Sequence, residues 1–448
     1  MDAEPTNDPP EAKPTPPGSG EKQPRKAAMI FIFFTLLIDI IGIGIVVPVL
    51  PKLVEGFMGG DVSKASLWGG IIGTSYAVTQ FFFAPIVGAL SDRFGRRPIL
   101  LLAMAGLAID YVIQANAPSL MWLFVGRVIA GIMGASFTTA SAYIADISTD
   151  ENRARNFGLM GAAFGLGFAI GPALGGLLGS YSLRLPFWVS AGLALVNFLY
   201  GLFVLPESLA PENRSEFTAA KLNPFASLMR MGRYPVVAGL AAAIFFVSLA
   251  QRGLENVWVY FTSYRYGWNE MTNGLALGLV GITAILVQGG LVRPIIKRIG
   301  ERKAVLFGML IATISFMGYA FAFQGWMIYA VIIFGSIGGV AGPAVQSIVA
   351  KCVDPSEQGQ MQGAITSLRS VTSIFAPLIF TSGLFSYFTS DAVAVKRPGI
   401  PFFVGGLCQL AAFFIAYRMF KRIPEVPSQE KTEAADDHGY SETESTDD

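Results

Sequence analysis

The chain has 448 residues, 53% hydrophobic and 14% charged, with a formal net charge of +1 and a mean hydropathy of +0.53. A soluble protein of this length carries about 25% charged residues, so this composition excludes an ordinary soluble enzyme and leaves no basic surplus for nucleic acid. Two cysteines, Cys352 and Cys408, and one histidine, His438, lack metal-ligand or redox spacing, so no metal and no cofactor are expected.

In chain order, residues 1–26 are rich in Pro, Glu and Lys and read as a disordered cytoplasmic leader. A bilayer core of roughly 30 Å takes about 20 apolar residues per helical crossing. Twelve such stretches follow, at 28–50, 67–90, 98–117, 120–146, 157–180, 186–206, 235–262, 271–297, 304–323, 326–351, 360–388 and 400–421. The first follows a polar leader and ends in Pro48-x-x-Pro51, not in a small-residue cleavage site, so it is no cleavable signal. A polar segment, 207–234, parts the sixth stretch from the seventh, and residues 423–448 form an acidic tail expected to be disordered. The expected units are one bundle over 27–206, a cytoplasmic linker over 207–234 and a second bundle over 235–422.

Charge orients the chain. With a cytoplasmic N-terminus, the cytoplasmic loops and tails hold 23 Lys and Arg, the opposite side holds 6, and Arg127, Arg252 and Arg369 fall inside helices. The positive-inside rule then predicts both termini in the cytoplasm, and the localisation expected is a bacterial inner membrane. The halves also repeat: at an offset of 205, Arg93 falls on Arg298, Gly95 on Gly300, Arg97 on Arg302, Gly158 on Gly363 and Pro172 on Pro377. The fold class predicted is an all-α membrane protein of 12 transmembrane helices in two pseudo-symmetric six-helix bundles.

Between the second and third stretches stands Gly88-Ala-Leu-Ser-Asp92-Arg93-Phe-Gly95-Arg96-Arg97-Pro98. Gly88 and Gly95 permit close packing and a tight turn; Asp92 can face the positive N-terminus of another helix; the arginines can pair with Asp146. The fifth stretch carries Gly167-Phe-Ala-Ile-Gly171-Pro172-Ala-Leu-Gly175-Gly176, small residues that let helices approach and a proline that leaves a carbonyl unpaired. The first stretch reads Asp39-Ile-Ile-Gly42-Ile-Gly44-Ile-Val-Val-Pro48, and the third contains Ala108-Ile-Asp110-Tyr111.

These motifs resemble the major facilitator superfamily and, within it, the tetracycline/proton antiporter family. The likeness runs from about residue 30 to 420, including Val257–Thr262 and Arg265–Asn269. It implies alternating access, a conformational switch at the Gly88–Pro98 loop with Asp146, and, from the Gly167–Gly176 motif, exchange rather than symport; ordinary tight packing is the other reading of that motif. Some members carry a membrane His and Asp where Ala284 and Ala312 stand here, which leaves the first-half carboxylates as the proton site.

A charge at a helix centre costs roughly 2.5–3.5 kcal/mol on insertion scales, so membrane charges mark sites. The helical rise puts Asp39, Asp110 and Arg127 at similar depth. An Asp39–Arg127 pair with Asp110 nearby would form a proton relay; a static pair that joins helices is the alternative. Arg252 and Glu255, three apart on one helix, either face the cavity or pair internally. Arg369 either holds an anionic group or reaches to the interface. Gln80, Gln288, Asn197 and Gln346 are further candidates for polar groups of the cavity, each with an interhelical hydrogen bond as its other reading. The function expected is proton-coupled export of a small organic molecule, drug-like or tetracycline-like, by a monomer in lipid; the partners are substrate and protons. The alternatives are a metabolite importer or facilitator, or a non-transporting sensor or assembly protein. A nucleotide-binding Gly-rich loop is missing and no nucleophile, base and orienting group recur together, so neither ATP-driven transport nor enzymatic activity is expected.

Overall fold

The computed structural model describes residues 22–134, 136–149, 151–215, 235–353 and 358–422, and every regular element among them is helical. The acidic tail, the leader before Lys22 and residues 216–234 of the linker lie outside the described residues. Residues 22–26, read as leader, form the start of the first helix.

Among the described residues, eleven helices are long and apolar enough to cross a membrane. They are α1 (Ala28–Phe57), α2 (Val62–Phe94), α3 (Arg96–Ala115), α4 (Leu120–Asp146), α5 (Arg155–Tyr181), α6 (Leu185–Val204), α8 (Glu270–Ile299), α9 (Glu301–Phe321), α10 (Gly325–Cys352), α11 (Met361–Thr389) and α12 (Ile400–Arg422). The twelfth, α7 (Pro235–Tyr266), runs for 32 residues and carries the polar run Gln251, Arg252, Glu255 and Asn256 across its middle. Large apolar side chains such as Leu102, Ile109, Phe203, Leu286 and Phe321 are exposed, as lipid-facing positions require.

Local chemistry sets the ends. Asp61 Oδ1 caps α2 by accepting from the Lys64 backbone N–H at 3.0 Å, and the pairing holds its carboxyl below the usual range. Asn269 does the same for α8 through Thr272 N at 2.9 Å. Gly95 (φ 103°, ψ 160°) breaks α2 from α3, and Gly300 (φ 79°, ψ 160°) breaks α8 from α9. These two glycines stand 205 residues apart in the same left-handed geometry, which side chains rarely adopt. Two helices change register inside the membrane: Val287–Leu291 of α8 and Pro377–Phe385 of α11 are π-helical. Pro377 has no N–H to give the α ladder, which accounts for the second.

The contacts define two bundles. In the first half α1 packs on α5 and α6, and α3 on α4 and α6; in the second, α7 packs on α11 and α12, and α9 on α10 and α12. Across the halves α5 meets α8 and α2 meets α11. The buried core shows where the halves join. At the end away from the Gly88–Pro98 loop it is continuous across both, from Val49 and Ile72 to Trp258, Tyr260 and Phe385. At the loop end it divides in two, one cluster per half.

Candidate functional site

Helix α3 turns Asp110 inward and places Gln114 one turn on, on the same face. Asp110 is fully buried, as is Gln114. Gln114 Nε2 donates to Asp110 Oδ2 at 2.6 Å, and Gln114 Oε1 accepts from Arg127 Nη2 of α4 at 2.9 Å. Arg127 Nη2 stands 3.9 Å from Asp110 Oδ2, beyond hydrogen-bond length, so the amide bridges the pair. Asp110 Oδ1 and Arg127 Nε have no hydrogen-bond partner among the described residues. Gly126 makes room for this, because a methyl group there would fall 2.8 Å from Asp110 Oδ1.

The expected Asp39–Arg127 pair does not form. Asp39 Oδ1 accepts from Asn197 Nδ2 of α6 at 2.9 Å, and the same nitrogen donates to the Thr35 carbonyl at 2.9 Å. The physical reason is that each charge already has an amide partner, Asn197 of α6 for Asp39 and Gln114 of α3 for Arg127. Arg127 is thereby committed to α3. Asn197 acts as an interhelical hydrogen bond, one of the two roles open to it. Gln114 and the bridge it builds are not among the residues the sequence singled out; the four-residue spacing of Asp110 and Gln114 is the available signal.

Within the first half, the Tyr76 hydroxyl of α2 accepts from Gln80 Nε2 at 3.2 Å, and Gln80 also donates to the Gly134 carbonyl of α4 at 3.3 Å. Arg252 Nη1 pairs with Glu255 Oε2 at 2.8 Å, both side chains being nearly half exposed. Arg369 is exposed on α11, and Gln288 is exposed in the π-helical part of α8.

The Gly88–Pro98 loop is a closed network. Arg96 pairs with Asp92, bonds Ser91 Oγ at 2.7 Å, and donates through Nε to Asp146 Oδ2 at 3.1 Å. Asp92 therefore faces Arg96 instead of a helix N-terminus. That terminus belongs to Glu207, whose carboxylate accepts from Arg96 N (2.8 Å) and Arg97 N (3.2 Å). Gly95 is required beside it, because a side chain there would collide with Glu207. Arg97 Nη2 donates to the Leu202 carbonyl at 2.6 Å, and Arg93 lies over the Phe94 ring. Ser215 N donates to the Asp92 carbonyl at 3.0 Å, so the first residues of the linker clamp the loop. Nothing in the sequence singled out Glu207.

The α5 motif uses two faces. Gly167, Gly171 and Gly175 lie against α1; a methyl on Gly171 would fall 2.8 Å from Gly44 Cα. Gly176 lies against α8, where a methyl would fall 2.5 Å from the Glu270 carbonyl, and Pro172 meets Gly274. On α2, Gly69 meets Tyr260, Gly70 meets Ser382, and Gly73 would put a methyl 3.1 Å from Asn256 Oδ1. The halves are sealed at this end. Toward the loop end, Gly88, Gly158, Gly161, Gly289, Gly290 and Gly363 on the same four helices face open space.

Residues 32–377 match the family model of the Major Facilitator Superfamily. The chain is 42% identical to the class C tetracycline resistance protein of Escherichia coli over 355 residues, 79% of this chain and 89% of that one. It is 36% identical to the class G tetracycline resistance protein of Vibrio anguillarum over 396 residues, 88% and 98% of the two chains. Among solved structures, the nucleoside transporter NupG shares the fold with a TM-score of 0.68 at 13% identity, covering 88% of this chain and 99% of that one.

Proposed function

The chain belongs to the Major Facilitator Superfamily, and from that membership we propose that it is a proton-driven antiporter exporting a small, drug-like organic molecule, with tetracycline-like molecules the first class to test. The observation that carries the reading is the buried Asp110–Gln114–Arg127 bridge beside an interface sealed at one end and open at the other. Such an interface is what alternating access moves. The relatives named for tetracycline resistance support the substrate class.

In this reading Asp110 Oδ1, which has no donor, is the atom a proton would occupy. Protonation removes the charge that Arg127 answers, and frees the guanidinium to change partners. Asp39 is the second proton site, held between α1 and α6 by Asn197. Gln80, Arg252, Glu255, Gln288 and Arg369 line the substrate path. The Gly88–Pro98 loop with Asp146 and Glu207 is the switch that resets on each cycle. Residues 27–206 and 235–422 are the moving halves, joined by the 207–234 linker; both termini lie in the cytoplasm, and the monomer carries out no covalent step.

The test is efflux from proteoliposomes with an imposed pH gradient. Wild-type protein should move tetracycline against its gradient and release it when the proton gradient is collapsed. If no member of a panel of cationic, neutral and anionic antibiotics moves with the proton gradient, the reading is lost.

A further inference from the structure

Helix α7 climbs along α2 in steps of four residues. Tyr260 meets Gly69, Asn256 meets Gly73, and the next step toward the open end is Arg252. Helix α11 follows the same course. Pro377 lies against Gly73, and one turn toward the open end come Ser373 and then Arg369, with Thr366 and Gln362 completing one polar stripe at helical spacing. Ser373, Thr366 and Ser370 turn their hydroxyls onto the backbone of their own helix, which leaves the Arg369 guanidinium as the charged group of this face, with the Gln362 amide beyond it.

The charges there do not balance. Arg252 is matched by Glu255 at 2.8 Å, whereas Arg369 has no carboxylate within salt-bridge distance among the described residues. Gln251 Nε2 also donates to Glu255 at 3.4 Å, so that carboxylate is already shared. One positive charge is left just inside the seal, between the halves, in a membrane protein. A cation held there without an answering charge is costly, and guanidinium forks match planar anions in two-point contact.

We infer that Arg252 and Arg369 form a subsite for an anionic group, a carboxylate or an enolate, on the transported molecule; this rests on reading the interface as the substrate path. Glu255 holds Arg252 in place while the site is empty, and Tyr76 and Gln80 close it from the opposite half.

Two xanthene dyes of one frame test this with the purified full-length protein in detergent, by fluorescence polarisation: carboxyfluorescein, anionic, and rhodamine 123, cationic. The anionic dye should bind at least about ten-fold more tightly, the ratio that roughly 1.4 kcal/mol yields. Arg369→Ala should remove that preference, and Arg369→Lys, which keeps the charge and the fold, should restore most of it. Equal binding of the two dyes, binding of neither, or an Arg369→Ala protein that keeps the preference would overturn the subsite. An intact preference in a protein that shows no proton-driven efflux would sink the export reading and leave the subsite standing.

Discussion

Asp110 and Arg127 are held 3.9 Å apart by the amide of Gln114, which donates to the first and accepts from the second. A direct ion pair would fix both charges. A bridged pair keeps them coupled while leaving one carboxylate oxygen and one guanidinium nitrogen unused. Removing one partner of a hydrogen bond to a buried charge costs roughly 1.5–3 kcal/mol. Gln114→Leu should therefore cut proton-driven efflux by about ten-fold or more, with dye or drug affinity little changed. Gln114→Glu should be worse, because it sets a second carboxylate against Asp110. Wild-type efflux from Gln114→Leu vesicles would make the bridge a purely structural contact.

Asp39 is joined to Asn197, not to an arginine. Its neutral substitute, Asp39→Asn, can still meet Asn197, so the α1–α6 contact survives and only the titrating group is lost. Proton-driven efflux should stop while the protein remains monodisperse and still binds substrate. Arg127→Ala should fail differently, with loss of thermal stability, since it strands Asp110 in the protein interior. If Asp39→Asn vesicles transport at the wild-type rate, coupling rests on Asp110 alone.

The seal gives a conformational prediction. Gly176 lies against the Glu270 carbonyl and Gly274, so Gly176→Leu forces α5 from α8 and disfavours this state. With Cys352 and Cys408 replaced by Ser, a reporter cysteine at Ser382, which packs on Gly70, should react with an impermeant maleimide faster in the Gly176→Leu protein. An unchanged rate would mean the halves do not part here.

The distribution of Lys and Arg predicts both chain ends in the cytoplasm. A phosphatase active only outside the cytoplasm, fused after Arg422, should be silent, and the same reporter in the 59–61 turn should be active. The opposite pattern would reverse which face the present structure opens to.

Much of the architecture was legible because membrane helices announce themselves by composition. The stretch expected at 120–146 matches α4 residue for residue, and most other ends fall within a few residues. Depth can be counted along a helix, which is why Asp39, Asp110 and Arg127 are read together. Azimuth cannot. A count of residues along an axis says how high a charge stands, and not which neighbour it faces, so depth alone pairs Arg127 with Asp39, whereas Gln114 directs it to α3. Glu207 was illegible for a related reason: its role exists only because the end of α6 returns to the start of α3.

The repeat predicts a second latch. The offset that carries Gly95 to Gly300 also carries Arg96 to Glu301 and Asp146 to Lys351. Arg96 Nε meets Asp146 Oδ2 at 3.1 Å, and Glu301 Oε1 meets Lys351 Nζ at 2.7 Å. The pair is retained in place with its signs exchanged, and each joins the start of one helix to the end of the next. The neighbours agree: Arg97 donates to the carbonyl of Leu202 near the end of α6, and Arg302 to that of Phe420 near the end of α12. An exposed ion pair contributes only about 0–1 kcal/mol to stability, so retention of this geometry points to switching and not to folding. Glu301→Lys and Lys351→Glu should each slow transport several-fold, with like charges facing across the joint, and should barely change the melting temperature. The double exchange Glu301→Lys with Lys351→Glu restores attraction and reproduces the sign order of the first half. Its transport should return to near the wild-type rate, a coupling that a double-mutant cycle measures directly. Additive losses in the double variant would show that the two halves share the geometry without sharing its use.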